Sequence, residues 1–379
     1  MSNPFEGLRP ALELMARESQ QVLPASGQVI EDLERPDLEE TYDRLQTREE
    51  DRLLETLIET PSQDVVRPVP PKYRPEHHPF RYFLDGSAKT YFIGTVIEQD
   101  RAVPVHVAQV GVAAIRREDD GTIRTAAIRH QILLLVPKGQ LSYGEQLEGL
   151  VGGMDPNRYV FVDAEARDTL ADQAGGREPR SRAPHRANGY MRNLEIQVAR
   201  ELERPQGHWL VVDGNPGSEM QEWRRGELLA VAKQFSRDQF FSIRANRGSR
   251  RKISLYQLLA DLPVAHRTAA FSVQGGKVVR WYVRLRGERG QLEYPLMGVV
   301  KVELPNPGGE PVPTEQIDAL SQAVVAERSE TPHGRDPRWH AHLYAIYLAE
   351  QAIKNRFLSS EILKAGLRWP SLQLVTKEV

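Results

Sequence analysis

The sequence predicts an α/β protein, a mixed sheet flanked by helices. Three observations carry this: short strand-type apolar runs between residues 82 and 136, a helical repeat between 189 and 203, and strands resuming at Trp209. Tyr82 to Leu84 leads into Asp85-Gly86-Ser87, read as a strand end, and Thr90–Ile97, Val103–Ala114 and Gln131–Val136 continue as a β-meander. Ala164–Ala187 is polar and rich in Arg, Gly and Pro, the composition of a mobile basic insertion carrying Arg177, Arg180, Arg182 and Arg186. From Gly189 to Glu203, Met191, Leu194, Val198 and Leu202 recur at helical spacing, and Pro205 and Gly207 stop the helix. Trp209–Val212 is a short apolar strand ending in Asp213-Gly214, and Leu228–Ala232 is another that runs into Lys233. Strands return at Ala270–Val273, Val278–Leu285 and Gly298–Leu304. Trp339–Phe357 reads as a long final helix, apolar at Leu343, Ile346, Leu348, Ile353 and Phe357.

Composition narrows the function classes. With 40% hydrophobic and 27% charged residues the chain is globular in type, not collagenous or disordered. Its longest apolar runs, such as Ile132–Val136, fall far short of the roughly 20 residues a bilayer crossing needs. The first residues carry no basic, then apolar, export pattern, so a cytoplasmic protein with no membrane association is expected. Cysteine is absent, which excludes thiol nucleophiles, disulfides and thiolate-bound metals; a metal here needs oxygen or imidazole ligands. No phosphate-binding Walker loop and no Gly-x-Gly-x-x-Gly occurs, so energy from a nucleotide must come from a partner.

The net charge of -2 hides an asymmetry: residues 1–60 carry 15 Asp and Glu against 6 Arg and no Lys. Leu8, Leu12, Leu14 and Met15, and later Leu53, Leu54, Leu57 and Ile58, suggest helical pieces within this acidic stretch. A proline-rich run follows, RPVPPKYRPEHHPF, without strand alternation. The division expected is therefore an acidic helical arm with spacer over 1–75 and a body over 76–379, the latter with its basic insertion near 164–187.

Three acidic residues stand where chemistry would place them. Asp85 and Asp213 each follow an apolar strand and precede a glycine, and Glu195 lies on the helix before the second strand. Each is unremarkable alone, since Asp-Gly is ordinary turn chemistry and a helical Glu usually faces solvent. Together they offer three oxygen donors around one point, as Mg²⁺ and Mn²⁺ require. The order strand-Asp, meander, helix-Glu, strand-Asp is that of the metal ligands in ribonuclease-H-like nucleases, although architecture does not by itself settle function.

The chain resembles the NurA nucleases, which have a ribonuclease-H-like core and work with the hexameric translocase HerA. The resemblance lies in FLDGS (Phe83 to Ser87), NLEIQVARELE followed by WLVVDGNPG (Asn193 to Gly217), LLAVAKQFSRD (Leu228 to Asp238), and RWYVRL with YPLMGVVKVEL (Arg280 to Leu304). It implies a manganese-dependent nuclease acting on DNA, dimeric, and fed by the ATPase in DNA end processing or antiviral defence. Carried over, Asp85 and Asp213 are the metal aspartates and Glu195 the helical glutamate. The family's last helix usually carries Ala-His, where this chain has Ala349-Glu350; Glu350, or His342 of Ala341-His342, then fills the fourth position, or it is lost.

A nuclease must hold a polyanion. Lys233 sits where it can meet the scissile phosphate, and Arg237, Arg244, Arg247, Arg250, Arg251 and Lys252, interleaved with Phe240 and Phe241, can track a backbone and stack on bases. Arg192, on the Glu195 helix, joins this set. The competing reading is a catalytically inactive adaptor or nucleic-acid-binding subunit of a ring ATPase.

Overall fold

The computed structural model describes residues 3–25, 32–33, 53–55, 58–60, 64–72, 78–165, 179–214, 222–236, 240–244, 250–273, 275–287, 295–329 and 339–370. The first segment contains helix α1 (Arg9–Glu18) and strands β1 (Gln21–Pro24), β2 (Asp32–Leu33), β3 (Leu53–Glu55), β4 (Glu59–Thr60) and β5 (Val66–Pro68). The meander follows as β6 (Phe80–Glu98), β7 (Arg101–Arg117) and β8 (Ile123–Val136), then helix α2 (Gly144–Gly152), β9 (Tyr159–Asp163) and helix α3 (Pro179–Glu201). Next come β10 (Trp209–Asp213), β11 (Leu228–Ala232), the hairpin β12 (Phe240–Arg244) and β13 (Arg250–Ser254), and helix α4 (Leu255–Ala260). The chain closes with β14 (His266–Thr268), β15 (Phe271–Val273), β16 (Val278–Arg284), β17 (Val299–Pro305), β18 (Val312–Pro313), and helices α5 (Thr314–Ala326), α6 (Tyr344–Lys354) and α7 (Ser360–Gly366).

One large mixed sheet dominates, in the order β13-β12-β3-β15-β16-β17-β11-β10-β6-β7-β8-β9. Its centre pairs β6, β7 and β8 antiparallel, sets β10 parallel to β6, and sets β11 parallel to β10. β7 is buried almost throughout, which is why it reads as an apolar run without alternation. Elsewhere the pleat sorts side chains by face. Tyr82, Leu84, Leu210 and Val212 pack under α3 with Met191, Leu194 and Val198. Phe83, Val211 and Val231 pack on the other side with α5 and α6, through Ile317, Val324, Ile346 and Ala349. The distal halves of β6 to β8 form a separate core with α1, α2 and α7, centred on Phe5, Leu12, Tyr91, Val105, Leu134 and Leu147. Among the described residues, no helix is long and apolar enough to cross a membrane.

Several expectations are corrected. β6 does not end at Asp85; it runs on to Glu98, because β7 pairs with it from Tyr82 to Glu98 and carries the ladder through Gly86. The first helical piece is present, as Leu8 and α1. The second is not: Leu53–Glu55 and Glu59–Thr60 are strands, β3 lying between β12 and β15 and β4 pairing with β18. Arg67 and Pro68, expected as spacer, belong to β5, which pairs with β14. The described strands of the arm are thus woven into the body's sheets. Of the expected insertion, 166–178 lie outside the described residues, whereas 179–187 form the first turns of α3, with Pro184 inside the helix and Ala183 and Ala187 fully buried. The final long helix is a 3₁₀ turn at Trp339–Ala341 followed by α6.

Two buried ion pairs tie distant segments together. Arg267, fully buried on β14, forks onto Glu59 at 2.5 and 3.0 Å and meets Asp318 at 2.6 Å. Arg117, closing β7, forks onto Glu327 at 2.5 and 2.6 Å and lies over the Phe83 ring. Such bidentate geometry is what offsets the desolvation of both charges.

Candidate catalytic site

The site lies in a notch in the sheet. Along one edge of β6, β10 pairs only as far as Val212 opposite Leu84, and β2 takes up the edge at Thr90 and Tyr91. Between them residues 85–89 have no strand partner on that edge among the described residues. Asp85 opens this gap, and Asp213, the next residue of β10, ends beside it. The parallel strands β6, β10 and β11 therefore bring Asp85, inside β6, to the C-terminal ends of β10 and β11, which carry Asp213 and Lys233.

Each side chain arrives by a different route. Asp85 follows the pleat of Phe83 and is buried, its Oδ1 accepting from the Gly86 N–H at 2.8 Å. Gly86 faces α3. A Cβ there would collide with the Glu195 Oε1 and would come within 2.9 Å of Met191 Cγ, so glycine is what lets the Glu195 carboxylate lie against the strand. Glu350 comes from α6, one residue after the core residue Ala349, and also pairs with Lys354 at 2.6 Å. Asp213 closes β10, and Gly214, at φ 77°, turns the chain away in a conformation that favours glycine.

Lys233, the residue after β11, points its ammonium into this cluster. Its Nζ lies 2.8 Å from Asp213 Oδ2 and 3.5 Å from Nε2 of the buried His342. Burial alone would pull the ammonium down, but Asp213 and then Asp85 override it and hold its pKa above the ordinary lysine value. For Asp85, burial and then the Asp213 and Glu350 carboxylates push the carboxyl well above the usual range; Lys233 offsets this in part, and Glu195 adds to it. The field at Asp85 thus contains Asp213, Glu350, Lys233 and Glu195 together. Lys233 bonds Asp213 and Lys354 bonds Glu350, so two ammonium groups share this field with the carboxylates.

The all-oxygen donor set suits a hard divalent cation such as Mn²⁺ or Mg²⁺. As the side chains stand, no three His, Asp or Glu residues among the described residues are arranged to hold a metal ion. The positive charge inside the cluster is supplied by Lys233 instead.

The expected residues divide clearly. Lys233 contacts Asp213, Asp85 lies in the field of both, and Glu195 lies against Gly86 and adds to the field at Asp85. Of the two candidates for the fourth position, Glu350 reaches Asp85 electrostatically, whereas His342 contacts Lys233. Arg192 lies on α3, half-buried. Arg237 and Arg247 fall outside the described residues. Arg244, Arg250, Arg251 and Lys252 lie on the β12–β13 hairpin, with Arg244 opposite Arg250 in register and Phe240 exposed at its start. The sequence reading missed the part played by Gly86; the signal was a glycine directly after an aspartate inside an apolar stretch. No family model matches the chain, and no curated protein matches its sequence.

Proposed function

We propose that this chain is a metal-dependent deoxyribonuclease that hydrolyses phosphodiester bonds, using Asp85, Asp213, Glu195 and Glu350 to hold Mn²⁺ or Mg²⁺. The observation that carries it is the contact of Lys233 with Asp213 beside the buried Asp85, which lies in the field of Asp213, Glu350 and Glu195 where the β6 edge is unpaired among the described residues. A divalent ion bound there would supply activation of water and charge stabilisation at the leaving oxygen. The chain's own residues do the rest. Asp85 and Asp213 are fixed by the backbone of adjacent parallel strands, so their separation is set by the ladder rather than by flexible loops. Glu195 is pressed toward the strand by α3 and Gly86. Lys233 brings a permanently charged ammonium where a scissile phosphate would be oriented. The β12–β13 hairpin offers cationic positions for the nucleic-acid backbone.

A ribonuclease-H-like core is supported by the strand order β8-β7-β6-β10-β11, antiparallel for the first three and parallel for the last two, with α3 between β8 and β10. The resemblance adds a HerA-like hexameric ATPase as motor, and dimerisation. The Asp213–Lys233 pair favours a second reading, a silent adaptor in which lysine permanently replaces the metal. Incubating linear and circular DNA with the purified chain in Mn²⁺, Mg²⁺ or chelator, with and without the ATPase, separates the two. Cation-dependent cleavage lost in Asp85→Asn supports the nuclease; intact DNA under every condition sinks it.

A further inference from the structure

The position of Lys233 raises a problem for any site that must take up a divalent ion. Its ammonium already bonds Asp213 at 2.8 Å, inside a pocket where the lysine side chain is 9% exposed and that of Asp213 14%. Asp85 and Glu350 both act on the same ammonium. A cation entering here must displace it, and a buried ammonium cannot be left without an acceptor. One is at hand: His342 Nε2, 3.5 Å from Nζ on the chain just before α6, carries a lone pair when the ring proton is on Nδ1. The backbone carbonyl of His342 accepts from the Ser329 N–H, and Tyr344 N–H donates to the Glu327 carbonyl, so the histidine is held in place independently of the lysine.

We propose that Lys233 is the site's own counter-ion, a tethered ammonium that holds Asp213 until a divalent ion replaces it, and that His342 is the positioning residue that receives it on exchange. This rests on the metal reading above and deepens it: the residue that meets the phosphate becomes free only when the metal is in place. The exchange moves one hydrogen bond from a carboxylate to an imidazole and breaks no covalent bond.

The test is Mn²⁺ binding without DNA, followed by the electron paramagnetic resonance signal of free Mn²⁺ and by thermal unfolding in Mn²⁺ and in chelator. Removing the competitor in Lys233→Met should tighten Mn²⁺ binding by about ten- to a hundredfold, the worth of one charge-assisted hydrogen bond. The variant should melt lower than wild type in chelator and recover with Mn²⁺, a rescue that a merely structural lysine would not give. His342→Ala should act in the opposite direction and weaken Mn²⁺ binding. Lys233→Gln, which keeps the reach and a neutral hydrogen bond, should also bind more tightly and serves if Lys233→Met does not fold. Unchanged or weaker affinity in the lysine variants, with binding still lost in Asp213→Asn, overturns the counter-ion role and leaves the metal reading standing. Tighter binding in His342→Ala overturns the receiving role. Absence of Mn²⁺ binding in wild type and variants alike overturns both the exchange and the metal reading.

Discussion

The Arg117–Glu327 pair and the Asp85 cluster both bury ionised groups beside β6, yet they balance charge in opposite ways. At the first, one guanidinium meets one carboxylate through two hydrogen bonds, and His78 Nε2 stands 3.4 Å from the same carboxylate. At the second, Lys233 serves Asp213 and Lys354 serves Glu350, while Asp85 lies buried in the field of Asp213, Glu350 and Glu195. A self-neutralised pair belongs to the fold, since nothing has to enter to complete it. On the metal reading proposed above, the second is completed by a cation from outside the chain.

Four changes sharpen or break this contrast, in descending order of effect on the unfolding free energy. Arg117→Met should cost about 3–5 kcal/mol, because it leaves Glu327 buried without its fork; a loss under about 1 kcal/mol in denaturant titration would remove the pair from the structural class. Gly86→Ala should cost about 1–3 kcal/mol by forcing Glu195 and Met191 away from the strand. Cation-dependent cleavage should fall with it, and a variant that retains full activity would detach Glu195 from the site. Asp85→Asn should do the reverse to stability, adding on the order of 1 kcal/mol in chelator at neutral pH while abolishing cleavage, because it relieves a carboxyl already disfavoured by burial and by its neighbours. A destabilised Asp85→Asn protein would mean that the cluster is balanced after all.

The smallest effect concerns His130, a partly buried group kept neutral. Burial first, then Arg158 and Arg356, lower its pKa from 6.5 to about 4. The unfolded chain therefore takes up this proton at a higher pH than the folded one. Stability contributed by keeping the ring neutral is complete above about 6.5 and is lost as the pH falls from there toward 4. With screening by solvent the slope should integrate to about 1 kcal/mol, and His130→Gln should flatten it in melts taken between pH 7 and 4. An equal acid slope in the variant would assign the loss to other groups.

Much of the site was legible because its residues sit at the ends of short, wholly apolar strands: Asp213 after Trp209–Val212 and Lys233 after Leu228–Ala232. Asp85 was found for a partly wrong reason. Asp-Gly-Ser has turn chemistry, and only long-range pairing with β7 overrides it, which no local pattern reveals. The start of α3 was hidden by Pro184, whose helix-breaking propensity is outweighed where Ala183 and Ala187 bury against the sheet. Leu53, Leu54, Leu57 and Ile58 have helix-like spacing, but β3 gains its backbone partners from Phe240–Ser242, residues far along the chain. Where Glu350 and His342 fall relative to Asp85 and Lys233 depends on how α6 and the turn before it sit over β6, which spacing alone does not give.

The strand β3 also bears on how the chain is made. Its parallel partner begins at Phe240, 185 residues beyond Glu55. At about 5–20 residues per second, the ribosome leaves that segment waiting roughly 10–40 seconds for the strand it will join. A leucine-bearing strand held open that long is prone to pair with a neighbouring nascent chain. Residues 1–60, with 15 acidic side chains against 6 basic ones, surround it with like charge on every copy. Like charge on every copy would then hold unfinished chains on the same message apart by mutual repulsion, before the native structure exists.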